Sequence, residues 1–286
     1  MTDPIVLTVG SLHYDIMVEA DHLPRRDETA VGTRWYPKFG GKGGNQAVSC
    51  AKHGAGSRML GAVGRDNFAP FLREGLAQAG VDHRFVTDCA APSGMSVAIM
   101  DAAGDYAATI VSGANLMIDP DILRDPAVWA NVGLLILQNE IAEAVNQAAA
   151  TEARARGIPV LLNAAPAREM SPTFKTLVDI LVVNAVEAEM MGTDPVCCLH
   201  SAADAARKLA AQFETVIVTA GAQGLAAWSA ADEAFQLPAE KVKAVSSHGA
   251  GDAFIGALAA GLAQRLDLLA ACKAASQAAA RHVAGI

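Results

Sequence analysis

Aromatic side chains are scarce in this sequence, at 5% of the residues, while the hydrophobic share as a whole reaches 52%. A chain of that make-up buries a substantial core rather than staying disordered. Small aliphatic residues also suit helices packed tightly on a mostly parallel sheet. Basic runs are missing too, and the net charge is −8, so a grip on nucleic acid through its phosphates is excluded. A phosphate-handling enzyme is not, because its anion site is built from backbone N–H groups and one or two cations. Nowhere do about 18 apolar residues follow one another, so no membrane span is expected. The start, Met1-Thr2-Asp3-Pro4, lacks the basic-then-apolar layout of a signal peptide. Five cysteines (Cys50, Cys89, Cys197, Cys198, Cys272) form no Cys-x-x-Cys pair and have no His at zinc spacing. They read as reduced thiols in a cytoplasmic protein, the adjacent Cys197 and Cys198 being incidental. There is no internal repeat, low-complexity tract or flexible linker.

What is present is a strand-then-helix rhythm. Short apolar runs at 5–9, 58–63, 132–137, 159–163, 180–183 and 215–219 have the length of buried strands, and several lead into Ala-rich segments of helical period at 68–79, 141–156 and 201–212. That alternation predicts one α/β domain with helices on both faces of its sheet. Two stretches break the rhythm. Residues 15–39 contain Pro24, Asp27, Gly32 and Pro37. Residues 93–112 read as a hairpin whose strands, 95–100 and 106–111, are joined by Asp101-Ala102-Ala103-Gly104-Asp105. They make either a small sheet standing off the main domain or two surface excursions, and the pattern alone does not choose.

Two glycine-rich segments carry chemistry. In Ser246-Ser247-His248-Gly249-Ala250-Gly251-Asp252, small residues run directly into an apolar helix. An anion can approach such a backbone closely, and the free N–H groups and dipole of the helix start favour it. Asp252, in the first turn, is placed to take a proton from a hydroxyl. On this segment alone, an acid capping a helix after a glycine turn is the simpler account. In Phe39-Gly40-Gly41-Lys42-Gly43-Gly44-Asn45-Gln46, four glycines surround one Lys before a helix expected at 46–53. It is not a Walker A loop. A glycine-dense loop with Lys42 and Asn45 suits a polyhydroxylated ligand. A tight strand-to-helix turn would explain one or two of those glycines, but not four. No Gly-x-Gly-x-x-Gly fingerprint occurs, which removes the main support for a dinucleotide-binding dehydrogenase.

In this order the two segments resemble the signatures of the ribokinase-like (PfkB) carbohydrate kinases, and the resemblance covers nearly the whole chain. Leu137-Gln138-Asn139-Glu140, Asn163-Ala164-Ala165-Pro166-Ala167-Arg168 and Asn184-Ala185-Val186-Glu187 are similar to the ribokinase branch of that family. The resemblance implies a three-layer α/β/α sandwich with a mostly parallel central sheet and a small β-sheet lid. Residues 1–12, 40–92 and 113–286 would then be the main domain, and 13–39 with 93–112 the lid. It implies Asp252 as catalytic base, with Gly249, Ala250 and Gly251 as the anion hole. Asp15, Gly41, Lys42, Asn45 and Glu140 would bind the sugar, and Asn184, Thr219, Gly221, Gly224 and Gln277 the nucleotide. Glu187 and Asn184 would hold Mg²⁺ through water. It also implies ATP as phosphoryl donor, no nucleic-acid or membrane partner, and a homodimer formed through the lid.

Three features depart from the family pattern. Ser246 stands where ribokinases carry an acid associated with a monovalent-cation site, which leaves potassium (K⁺) activation open, and the tail that serves the same site is short. His248 is expected to face solvent. His13 replaces the amide of the sugar-contacting Asn-x-Asp, and the bulkier ring changes the pocket's shape, so a sugar kinase is expected ahead of a ribose kinase in particular. The resemblance itself implies a furanose-type sugar, ribose first. A nucleoside or another sugar is the alternative within the same chemistry, and a sugar-sensing module without catalysis the alternative outside it.

Overall fold

The computed structural model describes residues 4–101, 106–230 and 234–286. Met1–Asp3 and residues 102–105 of the expected hairpin connection lie outside the described residues. The chain runs through β1 (Ile5–Val9), β2 (His13–Ala20), β3 (Gly32–Gly40), α1 (Lys42–Lys52), β4 (Gly56–Gly64), α2 (Phe68–Gln78) and β5 (Asp82–Cys89). Next come β6 (Met95–Met100) and β7 (Tyr106–Val111), and after short 3-10 turns β8 (Val132–Gln138), α3 (Glu143–Ala155) and β9 (Val160–Asn163). The rest comprises α4 (Pro172–Lys175), β10 (Ile180–Asn184), α5 (Ala185–Met190), α6 (Leu199–Leu209), β11 (Thr215–Thr219), β12 (Gly224–Ser229), β13 (Phe235–Pro238), α7 (Ala250–Ala263) and α8 (Leu268–Ala284).

Nine strands form one sheet in the order β13-β12-β11-β10-β9-β8-β1-β4-β5. Every pair from β11 to β5 is parallel, and the pairs β11–β12 and β12–β13 are antiparallel, so β12 alone is reversed. Strand side chains alternate between faces, so each central strand feeds two cores. Leu135, Leu162, Val183 and Val218 meet Val145 and Ala149 of α3 and Ala205 of α6 on one face. Ile136, Leu161, Val182 and Ile217 meet Phe254, Ile255 and Leu258 of α7 and Cys272 of α8 on the other. The result is a three-layer α/β/α sandwich.

The two stretches that broke the rhythm pair with each other in a second sheet of four strands, ordered β3-β2-β6-β7. Tyr14 fastens it to α2, its ring stacked on Phe68 at 4.1 Å between centroids and meeting Phe71 edge-on at 4.9 Å.

One boundary differs instructively from expectation. The helix predicted from 46 begins at Lys42, so Gly43 and Gly44 are helical rather than loop residues. A β-carbon at Gly43 would lie 2.6 Å from the Ser11 nitrogen, and one at Gly44 2.7 Å from Leu12 Cδ2. These glycines let the first turn of α1 press against the chain leaving β1. They serve packing as much as ligand access.

Candidate active site

The parallel strands end along one edge, and the predicted residues gather there. Ser11 follows β1, Glu140 follows β8, and Asn184 and Thr219 close β10 and β11, where they are register partners. Two helices, α1 and α7, begin at the same edge, and their N-termini differ in kind. In α1 the amides are spoken for. Lys42 N–H donates to Glu140 Oε2 at 2.9 Å, Gly43 N–H to Ser11 Oγ at 3.3 Å, and Gly44 N–H to the Ser11 carbonyl at 2.9 Å. Ser11 Oγ in turn donates to Glu140 Oε2 at 2.5 Å. Glu140 thus caps a helix as well as lining the site.

At α7 the amides are open. Gly249 holds the left-handed conformation, φ 88°, without a side-chain cap, which a β-carbon would strain. Ala250 N–H reaches back to the Ser247 carbonyl at 3.2 Å. Among the described residues nothing accepts from the N–H groups of Gly249, Gly251 or Asp252, and a β-carbon at Gly251 would meet nothing within 4 Å. Unpartnered amides at a helix start, with the dipole behind them, form an anion site.

Asp252 lies one turn in and is 8% exposed. Asn45 Nδ2 donates to its Oδ2 at 3.1 Å and Gln46 Nε2 to its Oδ1 at 2.9 Å. Burial pushes its carboxyl above the ordinary carboxylate range. Lys42 and the two amides pull the other way, and Glu140 adds to the rise. The contact between α1 and α7 that permits this grip is close. Ser49 Oγ donates to the Ala253 carbonyl at 2.9 Å, and a β-carbon at Gly256 would collide with the Ser49 side chain. A cleft of about 300 Å³ opens beside Asp252, between α1 and the end of α8.

On the small sheet, Asp15 is 8% exposed and accepts from Ser96 Oγ at 2.5 Å, and Lys38 is its register partner on β3. Any side chain at Gly40 would collide with the Asp15 carboxylate. His13 is 3% exposed, its Nδ1 lies 4.0 Å from Glu140 Oε2, and its Nε2 has no partner among the described residues.

Asn184 and Glu187 form a reciprocal capping box at α5. Glu187 N–H donates to Asn184 Oδ1 at 2.9 Å, and Asn184 N–H to Glu187 Oε2 at 2.8 Å. Burial raises the Glu187 carboxyl against the Asn184 N–H and Lys42, and Asp252 adds to the rise, so Glu187 shares the field of the site. Its second oxygen has no fixed donor, and among the described residues no three acids, histidines or cysteines cluster as a metal cage. That donor set fits a hydrated Mg²⁺ held through water. Gly221 is exposed with open space around it, whereas a β-carbon at Gly224 would collide with the Leu237 carbonyl, so Gly224 serves the β12–β13 pairing. Gln277 lies on the exposed side of α8, and His248 is exposed as expected. Ser246 N–H and Val245 N–H both donate to the Val283 carbonyl, at 3.2 and 2.8 Å.

Sequence reading missed Ser11, Ser96 and Gln46. Each is a common polar residue whose role depends on a partner at least 81 positions away, and nothing local marks it.

Comparison with known proteins agrees with this geometry. The pfkB family carbohydrate kinases match residues 4–284. Ribokinase of Mus musculus is 36% identical over 259 residues, 89% of this chain and 80% of the relative. Deoxyribokinase of Salmonella typhi is 34% identical over 285 residues, 98% and 92% of the two chains. The structure of Arabidopsis thaliana ribokinase complexed with ribose and ATP superposes with a TM-score of 0.90 at 27% identity, covering 99% of this chain and 93% of that one.

Proposed function

Because the chain belongs to the pfkB family of carbohydrate kinases and is an ATP-dependent sugar kinase, we propose that it phosphorylates the primary hydroxyl of a furanose-type sugar, ribose first, with Asp252 as base. The observation that carries this reading is the buried Asp252 carboxylate, gripped by two amides beside the open amides of α7. Asp15, Lys42, Asn45 and Glu140 orient the sugar, Gly41 lets the chain turn beneath it, and Asp252 accepts the proton of its hydroxyl. The freed oxygen attacks the γ-phosphorus, the bond to the bridging oxygen breaks, and ADP leaves. The open N–H groups of Gly249 and Gly251 would face the charge that develops on the phosphoryl oxygens, with Ala250, whose N–H turns back to the Ser247 carbonyl, completing the turn between them. Mg²⁺ bound with ATP neutralises phosphate charge, and Glu187 with Asn184 would hold it through water. Thr219 and Gly221 would border the nucleotide on the β11 side and Gln277 from α8, while Gly224 is taken up by the β12–β13 pairing.

The small sheet would act as a lid over the sugar, with Lys38 lining the cleft and Asp15 its register partner, and closing it would exclude water as a competing acceptor. Trp35 and Ile110 are 63% and 56% exposed on that sheet, which supports a homodimer formed through it. Sedimentation over a range of concentrations tests that assembly.

A panel of ribose, deoxyribose, fructose and nucleosides, scored by ADP release, identifies the acceptor. Both a ribokinase and a deoxyribokinase are among the relatives, and His13 places an imidazole in the sugar pocket, so ribose and deoxyribose are the decisive pair. Asp252→Asn is expected to abolish turnover while leaving sugar binding in place. Retained turnover would refute the assignment of the base.

A further inference from the structure

We infer that Gln46 is a positioning residue for the reaction, an amide kept in the interior solely to fix and charge-stabilise the Asp252 carboxylate. This rests on the reading of Asp252 as base. Gln46 is 0% exposed, so it touches neither sugar nor nucleotide and acts only through its neighbour. Its Nε2 donates to Asp252 Oδ1 at 2.9 Å. The opposite amide orientation would set Oε1 against a carboxylate oxygen, so the nitrogen must face Asp252.

The other end of the same amide argues that the fold does not need it. Gln46 Oε1 is buried with no donor among the described residues. An orphaned buried carbonyl is destabilising, and an aliphatic side chain of equal volume would avoid the penalty. A residue that burdens the interior while serving one functional carboxylate is explained by that carboxylate. Asn45, the second amide on Asp252, is half-buried and lines the cleft, so a bound sugar competes for its N–H. Gln46 has no competitor and holds Oδ1 through the whole cycle.

Other charges around Asp252 stay constant when Gln46 changes. Lys42 of α1, Glu140 after β8 and Glu187 of α5 act on it directly. From the cleft wall face Lys38 of β3, Lys52 and His53 of α1, His248 before α7, and Arg281 and His282 of α8. A hydrogen bond to the ionised carboxylate favours that form, so its loss would leave Asp252 protonated to higher pH.

Gln46→Met keeps the volume and removes the donor. Turnover should fall about tenfold on the acid side of the pH–rate profile and recover to within about threefold at alkaline pH, where Asp252 ionises regardless. At acid pH, where Asp252 is protonated, the thermal midpoint should stay equal or rise, and at neutral pH it should fall, because the ionised carboxylate has lost a donor. Ser57→Ala, which removes a 2.8 Å bond from Ser57 Oγ to the Ala47 carbonyl of α1, should lower the midpoint without moving the profile. A Gln46→Met profile that superimposes on the parent, or a loss equal at every pH, would overturn the inference. So would a midpoint lowered equally at acid and neutral pH in both Gln46→Met and Gln46→Leu, which would assign Gln46 to the fold. If Asp252→Asn is dead and the Gln46 variants behave like the parent, the base stands and only the positioning role falls. Should Asp252→Asn stay active, both fall.

Discussion

A carboxylate with 8% exposure at the start of a helix is held ionised against its own desolvation. Lys42, Asn45 and Gln46 work in that direction at Asp252, but burial outweighs them and the carboxyl sits above its ordinary range. A carboxyl raised in the folded state weakens the fold at pH values above its folded pKa, and the penalty fades as pH falls through that value. Asp252→Asn removes the charge in nearly the same shape. The variant should therefore unfold at a higher temperature than the parent at neutral pH, with the gap narrowing on acidification. Thermal unfolding at both pH values checks this, and a lower midpoint at neutral pH would contradict it. Asp252 is legible in the sequence only when its glycine turn is set beside the 40–45, 137–140, 163–168 and 184–187 segments, since alone it reads as a capping acid. Gln46 is not, since a glutamine beside a helix start has many ordinary explanations. Only the meeting of α1 with α7, 206 positions apart at this bond, gives it one particular role.

Helix α1 illustrates how much an element can hide inside a correct motif. Its glycines were read as room for a ligand, yet Gly43 and Gly44 are consumed by contact with Ser11 and Leu12. Periodicity could not show this, because a glycine needed for close approach looks the same in sequence as one needed for a turn. The partner helix carries the complementary feature. Gly256 of α7 faces Ser49 with no room for a methyl group, and this approach sets Asn45 and Gln46 against Asp252. Gly256→Ala should push the helices apart, destabilising the protein by about 1–3 kcal/mol through overpacking. Turnover should drop further than that loss of folded protein explains. Chemical denaturation paired with kinetics on the folded fraction checks both, and full activity in the surviving fraction would show that the helix contact does not govern the base.

Across the whole molecule, the strands that sequence made plain are the buried central ones. Runs such as Val132–Gln138 and Ile180–Asn184 lie in the interior of a parallel sheet and are apolar on both faces. The strands left unassigned, β5, β12 and β13, sit toward the sheet edges. Polar residues blur the pattern in half-exposed β5 and β13, and the short small-residue run of β12, though buried, gives little strand signal. The small sheet was legible as an irregularity and only ambiguously as a structure, because β2 pairs with β6 across 81 residues at Asp15 and Ser96. The two glycine-rich segments read differently in the sequence, 249–251 as an anion site and 40–45 as a loop for a polyhydroxylated ligand, although both lead into helices. Since Glu140 and Ser11 already occupy the amides of α1, of these two helix starts it is α7 that offers open amides to a free oxyanion. Inhibition kinetics should register that asymmetry. Sulfate is expected to compete with ATP while leaving the apparent affinity for sugar unchanged. A sulfate pattern competitive against the sugar would mean that the plug at α1 gives way, and that Glu140 can be displaced by a simple salt.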